Sequence, residues 1–282
     1  MSDATRVAII GLGAIGGSAA LKLIERGAAP VGYAADEPDR DLAAAAGVRI
    51  AASVASAAKE SDLILIAVPL DQLATVAREV ATVASAHATI LHAAGLQRPD
   101  ATGLDPAIAL RLIGTHPLAG TELSGFGAAS AQMFEGATVF VEARGTRRMR
   151  EDAELFWSMA GAKHIDYLSA EEHDDLIAGI SHLPQIVSTV LAATLAYANT
   201  PRSRLGPGGR DATRLAASPW SMWRPLLLRT PGRTLAMLES IETELREMRE
   251  AIMQSTLDET GITWDVARAW ALDRHRDAGT AR

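Results

Sequence analysis

One histidine of the 282-residue chain stands where acid–base chemistry is expected. His116 directly follows the apolar, strand-like run 111–115, and Pro117, Gly120 and the acid Glu122 come soon after it. A strand that turns at once into a Pro/Gly loop is where α/β proteins usually carry catalytic side chains. Because a neutral imidazole accepts protons near pH 7, His116 is predicted to be an acid–base catalyst.

A glycine-rich turn near the N-terminus indicates the cofactor that such a residue would serve. The short β-branched run 7–10 leads into G-x-G-x-x-G, and helix-forming residues 18–26 follow. A turn of this kind binds a dinucleotide, because its backbone approaches the pyrophosphate and the helix N-terminus attracts the charge. The chain is therefore predicted to be a nicotinamide-dependent dehydrogenase. The predicted cofactor-binding residues of this turn are Gly11, Leu12, Gly13, Ala14, Ile15 and Gly16.

Charges after the second predicted strand, 31–33, bear on which nicotinamide cofactor binds. Asp36 stands about 20 residues beyond the glycines, where a carboxylate binds the ribose 2′-hydroxyl and repels a 2′-phosphate. The first position after the strand is Ala34, however, and Asp36 and Glu37 are equally suited to capping the next helix. NAD is predicted as the cofactor. NADP stays open, since Arg40 is the residue that would reverse this preference.

Strand and helix patterns alternate through the first 169 residues. The run 63–68 is apolar throughout and ends at Pro69, which is typical of a central parallel strand buried on both faces. Val68 and Pro69, at its end, are predicted to contact the cofactor. The predicted fold class is α/β, with a doubly wound Rossmann domain over residues 1–169. Further strands are predicted over 89–93, 111–115, 138–141 and 163–167, and helices over 72–83 and 149–159.

From residue 170 onward the pattern changes to helices. Pro184 lies inside the first of them and removes one backbone donor, so a kink near 181–184 is predicted. Residues 170–282 are predicted to form an all-helical substrate and dimerisation domain. A homodimer is predicted because this region is too small to bury its own apolar helix faces. The helical patterns cover 171–197, 211–217, 222–228, 234–256 and 264–276.

Composition excludes several classes of site and partner. The chain has no cysteine, which rules out disulfides, thiolate catalysis and cysteine-based metal sites, and no metal is predicted. A net charge of −7 argues against nucleic acid as a partner. The N-terminus lacks the segments of a signal peptide, and apolar stretches such as 186–197 are too short to span a bilayer. A soluble, cytoplasmic protein without a membrane partner is predicted.

Three further segments accompany the glycine turn. They read GTHPLAGTE at 114–122, EHD with SHLP at 172–184, and GGRDATR with MWR at 208–224. In order and spacing, the four segments resemble the prephenate/arogenate dehydrogenase family over about residues 5–255. The resemblance implies a Rossmann domain, a helical dimerisation domain and an active site between them. It also implies oxidative decarboxylation of a small cyclohexadiene dicarboxylate or amino acid in tyrosine biosynthesis.

The resemblance also assigns roles to individual residues. It makes His116 the base that takes the proton of the substrate 4-hydroxyl, with Glu122 beside the cleft. It makes Arg214 the partner of a substrate carboxylate, with Arg210 as a second cation, because a guanidinium binds a carboxylate bidentately. His182 corresponds to a second family histidine and is predicted to face the cleft. His173 is interpreted as part of a helix start, and Trp223 as a packing residue with a role at the substrate edge left open.

One departure from the family bears on the substrate. Where the family keeps a serine that contacts the substrate hydroxyl, this chain has Gly95, and Gln97 takes the place of a lysine. Gly95 is therefore predicted to lie beside the substrate. The change leaves open prephenate, arogenate or a 4-amino analogue as substrate, and also a catalytically silent dinucleotide sensor. Another two-domain dehydrogenase, such as a β-hydroxyacid type, is disfavoured by the HPLAGTE and GGRDATR segments.

Overall fold

Eight strands form one mixed sheet in the computed structural model, which describes residues 5–120, 123–229, 232–257 and 261–273. Across the sheet the strands are ordered β3-β2-β1-β4-β5-β6-β7-β8. The first six pair in parallel, which is the strand order of a doubly wound dinucleotide-binding domain. The strands are β1 Val7–Ile10, β2 Val31–Tyr33, β3 Arg49–Ile50, β4 Leu63–Ile66, β5 Thr89–His92, β6 Leu112–Pro117, β7 Thr138–Glu142 and β8 His164–Leu168.

Helices cover both faces of the sheet and make up the rest of the described chain. The predicted α/β class, with helices following the sheet, is confirmed. After residue 170 the described residues contain helices and no strand. The helices are α1 Ala14–Glu25, α2 Glu37–Ala45, α3 Val54–Ala58, α4 Leu70–Val83, α5 Pro99–Thr102, α6 Pro106–Ala109, α7 Arg147–Ala160, α8 Ala170–Ile177, α9 Leu183–Tyr197, α10 Pro207–Thr213, α11 Trp220–Leu227, α12 Gly232–Gln254 and α13 Gly261–Leu272.

The core consists of two apolar layers, one on each face of the sheet. Side chains alternate along β1, so Val7 and Ile9 pack in one layer and Ala8 and Ile10 in the other. The first layer contains α1 and α7, with Trp157 as its largest fully buried side chain. The second layer contains α3 and α4. Because β1 and β4 are buried on both faces, their carboxyl ends are held rigidly for the functional groups that follow.

The structure corrects the sequence prediction at β6. The strand was predicted to end at Thr115, but it continues through His116 and Pro117. The extension pairs antiparallel with β7, and His116 lies opposite Phe140. A second difference is β3, two residues long and not predicted, because Arg49 and Ile50 carry no periodic signal. His116 is thus fixed by strand pairing rather than carried on a loop.

The predicted kink at Pro184 takes the form of a π-helical turn. Residues Ala178–His182 are π-helical and join α8 to α9 without a break. Proline has no N–H to donate to a carbonyl one turn earlier, and a wider turn accommodates the missing hydrogen bond. His182 ends this turn and is buried. The irregular turn therefore positions one of the predicted site residues.

The helical run Ala170–Tyr197 is longer than the apolar stretch singled out in the sequence. Its 28 residues are long and apolar enough to cross a membrane by length and composition alone, with 28% of the apolar window buried. Its first turns are hydrogen-bonded to the loop that follows β5, since Asp174 accepts from the backbone N–H of Gln97 at 2.8 Å. The run is accordingly a structural part of the sheet-containing unit. Its exposed apolar side chains include Leu176, Ile180 and Val190.

Contacts divide the chain into two compact units, residues 1–231 and residues 232–282. The first contains the sheet and the helices through α11. In the second, α12 and α13 are joined by a hydrogen bond from Thr263 Oγ1 to Glu244 Oε2 at 3.4 Å. The predicted domain boundary at residue 169 stays a prediction. The final predicted helix, 264–276, lies partly outside the described residues.

Candidate active site

The carboxyl ends of four parallel strands bring the predicted functional groups to one edge of the sheet. Gly11 follows β1, Val68 follows β4, and Gly95 follows β5. His116 lies near the end of β6. Since β1, β4, β5 and β6 are neighbours and parallel, these positions share an edge, and ligands of doubly wound sheets bind at such an edge.

The glycine turn has the backbone that a pyrophosphate requires. Gly11 has a φ of +97° and its N–H donates to the Tyr33 carbonyl at 2.8 Å. A Cβ on Gly16 would overlap the carbonyl oxygen of Gly11, so α1 can approach the turn this closely only with glycine there. A Cβ on Gly13 would meet nothing within 4 Å. The open space beside Gly13 is where a diphosphate fits against the backbone.

The residues around that turn are placed as a dinucleotide site needs them. Leu12 is buried beneath the turn, while Ala14 and Ile15 begin α1 and present backbone N–H groups toward its N-terminus. Within the described first turn of α1 there is no acidic residue to oppose an anion. Val68 Cγ1 comes within 3.1 Å of the position a Gly11 Cβ would take, and Pro69 precedes α4. The turn therefore fits a dinucleotide phosphate.

Asp36 and Arg40 both follow β2, Asp36 just before α2 and Arg40 within its first turns, and their side chains differ in what they contact. Asp36 is exposed, stands at the N-cap of α2, and makes no capping side-chain hydrogen bond within the described chain. Its carboxylate is accordingly available to a ribose hydroxyl. The Arg40 guanidinium donates to the carbonyls of Ala34 at 2.9 Å and Ala35 at 2.7 Å. Those bonds tie Arg40 to the backbone, which favours Asp36 as the ribose ligand.

His116 belongs to a buried chain of hydrogen bonds. Its Nδ1 lies 2.9 Å from Nε2 of His173, and His173 Nδ1 lies 2.7 Å from Oδ1 of Asp174. His173 and Asp174 are completely buried, whereas His116 keeps partial exposure. From the sequence, His173 is interpreted as part of a helix start, and Asp174 has no predicted role. Both are instead linked directly to the predicted base.

Asp174 also holds the helical run against the loop that follows β5. Its Oδ1 accepts from the N–H of Gln97 at 2.8 Å, and its Oδ2 accepts from the N–H of Arg98 at 3.1 Å. Arg98 Nε lies 3.7 Å from Oδ2. The loop after β5, which also contains Gly95, is thereby fixed relative to α8. One carboxylate thus sets the position of both the base and the glycine beside it.

Two further histidines, His92 and His182, lie close to His116. His92, on β5, is buried and accepts a hydrogen bond from the N–H of Ala94 at 3.4 Å. Burial, with His173 nearby, lowers the pKa of His92 to about 4. Burial, followed by the proximity of His173, His182 and His92, lowers the pKa of His116 to about 3. Burial also lowers the pKa of His182. Burial, together with the neighbouring histidines, therefore leaves His116 neutral near pH 7.

Acidification is expected to destabilise this cluster. A histidine whose pKa is lower in the folded chain than the ordinary 6.5 takes up its proton more readily when unfolded. The stability it contributes is complete above its unfolded pKa and is lost as pH falls toward the folded value. For His92 the loss at about pH 5 is on the order of 2 kcal/mol. Denaturant unfolding at about pH 7.5 and about pH 5 measures it.

The matched variant for this measurement is His92→Asn, whose side-chain oxygen keeps an acceptor for the Ala94 N–H. It is expected to lose less stability than the wild type between the two pH values. An equal loss in both proteins would show that His92 does not contribute to the acid sensitivity.

Gly95 lies against the outer nitrogen of the predicted base. A Cβ at this position would be 3.8 Å from His116 Nε2 and 3.4 Å from Leu226 Cδ2 on α11. Both distances are ordinary van der Waals contacts, so the absent side chain leaves room directly beside Nε2. The predicted location of Gly95 next to the substrate thus has a defined geometry, although its role stays a prediction.

The remaining predicted residues lie on the segment after α9. His182 makes an edge-to-face contact with Trp223, with ring centres 5.9 Å apart. Arg214 begins a 3-10 turn, Arg214–Ala217, that is held to α9 by a bond from Gln185 Nε2 to the Leu215 carbonyl at 2.9 Å. Arg210 is exposed and donates to the carbonyl of Leu205.

Their roles as substrate ligands stay predictions. Glu122 lies outside the described residues.

The helical pattern of the sequence contains a signal for His173 and Asp174, whose roles were not predicted. The buried positions of α8 are Ala170, His173, Asp174 and Ile177, the i, i+3, i+4, i+7 spacing of one helix face. Ser169 and Glu172 form a capping box that fixes where the helix begins. With the helix beginning after Ser169, His173 and Asp174 fall on the buried face of α8. A buried His-Asp pair needs partners, and this indicates a functional cluster.

Comparisons with known proteins agree with this geometry. Residues 19–165 match the family model described as prephenate dehydrogenase, nucleotide-binding domain, and residues 169–261 match prephenate dehydrogenase, dimerization domain. The cyclohexadienyl dehydrogenase of Zymomonas mobilis is 31% identical over 258 residues, covering 87% of this chain and 88% of that protein. The prephenate dehydrogenase of Lactococcus lactis is 30% identical, covering 86% of this chain and 70% of that protein.

A solved structure has the same fold. The structure of Aquifex aeolicus prephenate dehydrogenase in complex with hydroxyphenyl propionate and NAD+ has a TM-score of 0.83 at 24% identity. The similarity covers 95% of this chain and 98% of that chain.

Proposed function

Since the chain belongs to the prephenate dehydrogenase family, we propose that it catalyses the oxidative decarboxylation of prephenate or arogenate in tyrosine biosynthesis. The observation that carries this proposal is the position of His116. Its Nε2 borders the space beside Gly95, on the sheet edge where the glycine turn also lies. The relatives named above are prephenate and cyclohexadienyl dehydrogenases, so the 4-amino substrate and the silent sensor are not favoured.

The glycine turn and the end of β2 hold the cofactor. Gly11, Gly13 and the N-terminus of α1 receive the pyrophosphate, and Asp36 receives the adenosine ribose. These residues favour NAD, since a carboxylate at that position repels the 2′-phosphate of NADP. When bound, the nicotinamide accepts the hydride that leaves C4 of the substrate ring.

His116 accepts the proton of the substrate 4-hydroxyl and later returns it. It is neutral near pH 7, because burial lowers its pKa to about 3, and so it has a lone pair available for the substrate 4-hydroxyl proton. As the hydride leaves C4 and the ring carboxylate leaves as CO2, the ring becomes aromatic and its oxygen becomes a phenolate. His116 then returns the proton to that oxygen and ends the cycle neutral.

Arginines after α9 are the proposed ligands of the substrate side-chain carboxylate. Arg214 lies on the 3-10 turn held to α9, the helix that follows His182. Arg210, one helical turn earlier, supplies a second cation. A net charge of −7 makes such local cations necessary for an anionic substrate. Holding that carboxylate fixes C4 relative to His116.

We propose that the active protein is a soluble, cytoplasmic homodimer. The dimerization-domain match covers α9, whose exposed apolar side chains include Val187 and Val190. A second copy would bury this surface, which a monomer leaves in water. Sedimentation at twice the chain mass of 29.7 kDa supports the dimer, and sedimentation at one chain mass contradicts it.

The experiment that tests the function is an assay of nicotinamide reduction. Purified protein is supplied with NAD+ or NADP+ and with prephenate or arogenate, and the absorbance of the reduced nicotinamide and the release of CO2 are followed together. Equimolar formation of both products with either substrate is expected, with NAD+ preferred. Reduction without CO2 release, or no reduction with any pair, contradicts the proposal.

Gly95→Val is expected to lower kcat/KM by about 100-fold, because its side chain would fill the space against His116 Nε2 and move the substrate away from the base. The matched control is Gly95→Ala, whose Cβ lies at ordinary contact distances. It is expected to keep its unfolding free energy within about 0.5 kcal/mol of the wild type. Wild-type kcat/KM in a folded Gly95→Val protein would show that the substrate does not occupy this space.

A further inference from the structure

We propose that Asp174 and His173 are positioning residues that fix the tautomer of His116, making its Nε2 the basic nitrogen. The inference deepens the proposed function and rests on it for the role of His116 as the base. The inference is argued from the geometry of the buried hydrogen-bond chain that runs from Asp174 through His173 to His116, whose Nε2 borders Gly95.

The donor and acceptor roles along this hydrogen-bond chain are set at Asp174. Backbone N–H groups can only donate, and those of Gln97 and Arg98 point at the two carboxylate oxygens. Both oxygens are therefore acceptors, and the Arg98 guanidinium lies beside them, with its Nε 3.7 Å from Oδ2. An acceptor oxygen 2.7 Å from His173 Nδ1 requires that this nitrogen carry the proton.

The proton on His173 Nδ1 determines the next bond. In neutral His173 the other nitrogen, Nε2, is then an acceptor. It lies 2.9 Å from Nδ1 of His116, which must donate to it. His116 Nε2 is left with its lone pair, and this is the nitrogen that faces Gly95. The tautomer of a histidine is commonly set in this way by the partner of its other nitrogen.

The same chain supports the base during proton transfer. Burial lowers the pKa of His116 to about 3, which by itself makes it a weak base near pH 7. A proton gained at Nε2 puts positive charge on a ring whose Nδ1–H is directed, through His173, toward the Asp174 carboxylate. That negative charge stabilises the imidazolium that forms in the reaction.

The groups that face this chain come from several elements. His92 approaches from β5, His182 from the π-helical turn, and Arg98 from the loop after β5. Asp100 Oδ1 also lies 3.7 Å from Arg98 Nε. Among these described neighbours, Asp174 is the carboxylate hydrogen-bonded to a histidine, so it is the group that orients the cluster.

Two substitutions of His173 test the inference. The carboxamide of His173→Gln offers a donor to Asp174 and an acceptor to His116 Nδ1, and it cannot titrate. His173→Phe keeps a ring and removes both hydrogen bonds. His173→Gln is expected to keep kcat within about tenfold of the wild type, and His173→Phe to lose about 1,000-fold at unchanged KM. Equal kcat values in the two folded variants would overturn the proposal.

A substrate-free measurement separates this inference from the proposed function. The 15N shifts of the imidazole nitrogens report which nitrogen of His116 bears hydrogen, whatever reaction the protein catalyses. In the wild type and in His173→Gln, protonated Nδ1 and bare Nε2 are expected. In Asp174→Asn, a larger fraction of His116 is expected to carry its hydrogen on Nε2. A lower kcat is expected at every pH of the profile. Protonated Nε2 in the resting wild type would overturn the tautomer assignment.

Discussion

His116→Asn is expected to lower kcat by about 1,000-fold while leaving NAD+ affinity unchanged. Asparagine places a nitrogen close to the position of Nδ1 and can still donate to His173 Nε2, so the bond spanning 2.9 Å in the wild type has a replacement. What the substitution removes is Nε2, the atom beside Gly95. The loss is therefore a measure of proton acceptance rather than of folding.

The measurement is steady-state turnover with prephenate and arogenate, combined with a direct titration of NAD+. The control is His87→Asn, since His87 is exposed and lies just before the start of β5, at the edge of the sheet opposite to that of His116. It is expected to keep kcat within about twofold of the wild type. A His116→Asn protein that binds NAD+ and turns over at the wild-type rate would exclude His116 as the base.

The pH dependence of turnover carries a related expectation. Because the pKa of His116 lies near 3 rather than 6.5, protonation of the free base does not reduce activity between about pH 8 and about pH 6. Loss of activity at still lower pH is expected to accompany the acid destabilisation of the histidine cluster. Comparing initial rates with unfolding curves at each pH separates the two effects.

The parts of the fold that the sequence predicted are those with a local signal. β1 and β4 read as uninterrupted apolar runs because both of their faces are buried, and the glycine turn follows from the spacing of Gly11, Gly13 and Gly16. The antiparallel pairing of β6 with β7 has no such signal, since strand direction depends on the long connection over residues 118–137. Because of that pairing, His116 lies in a strand and not in the predicted loop.

In the active-site cluster, too, the residues with a local sequence signal were predicted and those placed by long-range contacts were not. His116 was found from its immediate neighbours in the sequence, but its contact with His173 spans 57 residues and that of Gln97 with Asp174 spans 77. Pairings over such distances follow from the packing of α8 against the sheet and from no local pattern. Only the helical spacing of Ala170, His173, Asp174 and Ile177 carried the information, and it becomes readable once the cap at Ser169 is placed.

Gly16→Ala is expected to destabilise the fold by about 3 kcal/mol or more. The added Cβ would overlap the carbonyl oxygen of Gly11 and come within 3.0 Å of Ile9 Cγ2. Ile9 is fully buried in β1, and the Gly11 backbone directly follows that strand in the tight turn, so neither group can move aside without disturbing the core. The substitution therefore forces α1 away from the sheet. Denaturant unfolding without cofactor measures the loss.

Gly13→Ala is the matched control, because it adds the same methyl group three residues earlier in open space. Its Cβ would meet nothing within 4 Å, and the φ of −72° at Gly13 suits alanine. The unfolding free energy is expected to stay within about 0.5 kcal/mol of the wild type. The methyl group would stand where the backbone approaches the pyrophosphate, so NAD+ affinity is expected to fall by about 10- to 100-fold. A stable Gly13→Ala protein with wild-type NAD+ affinity would place the phosphates elsewhere, and a stable Gly16→Ala protein would contradict the close approach of α1 to β1.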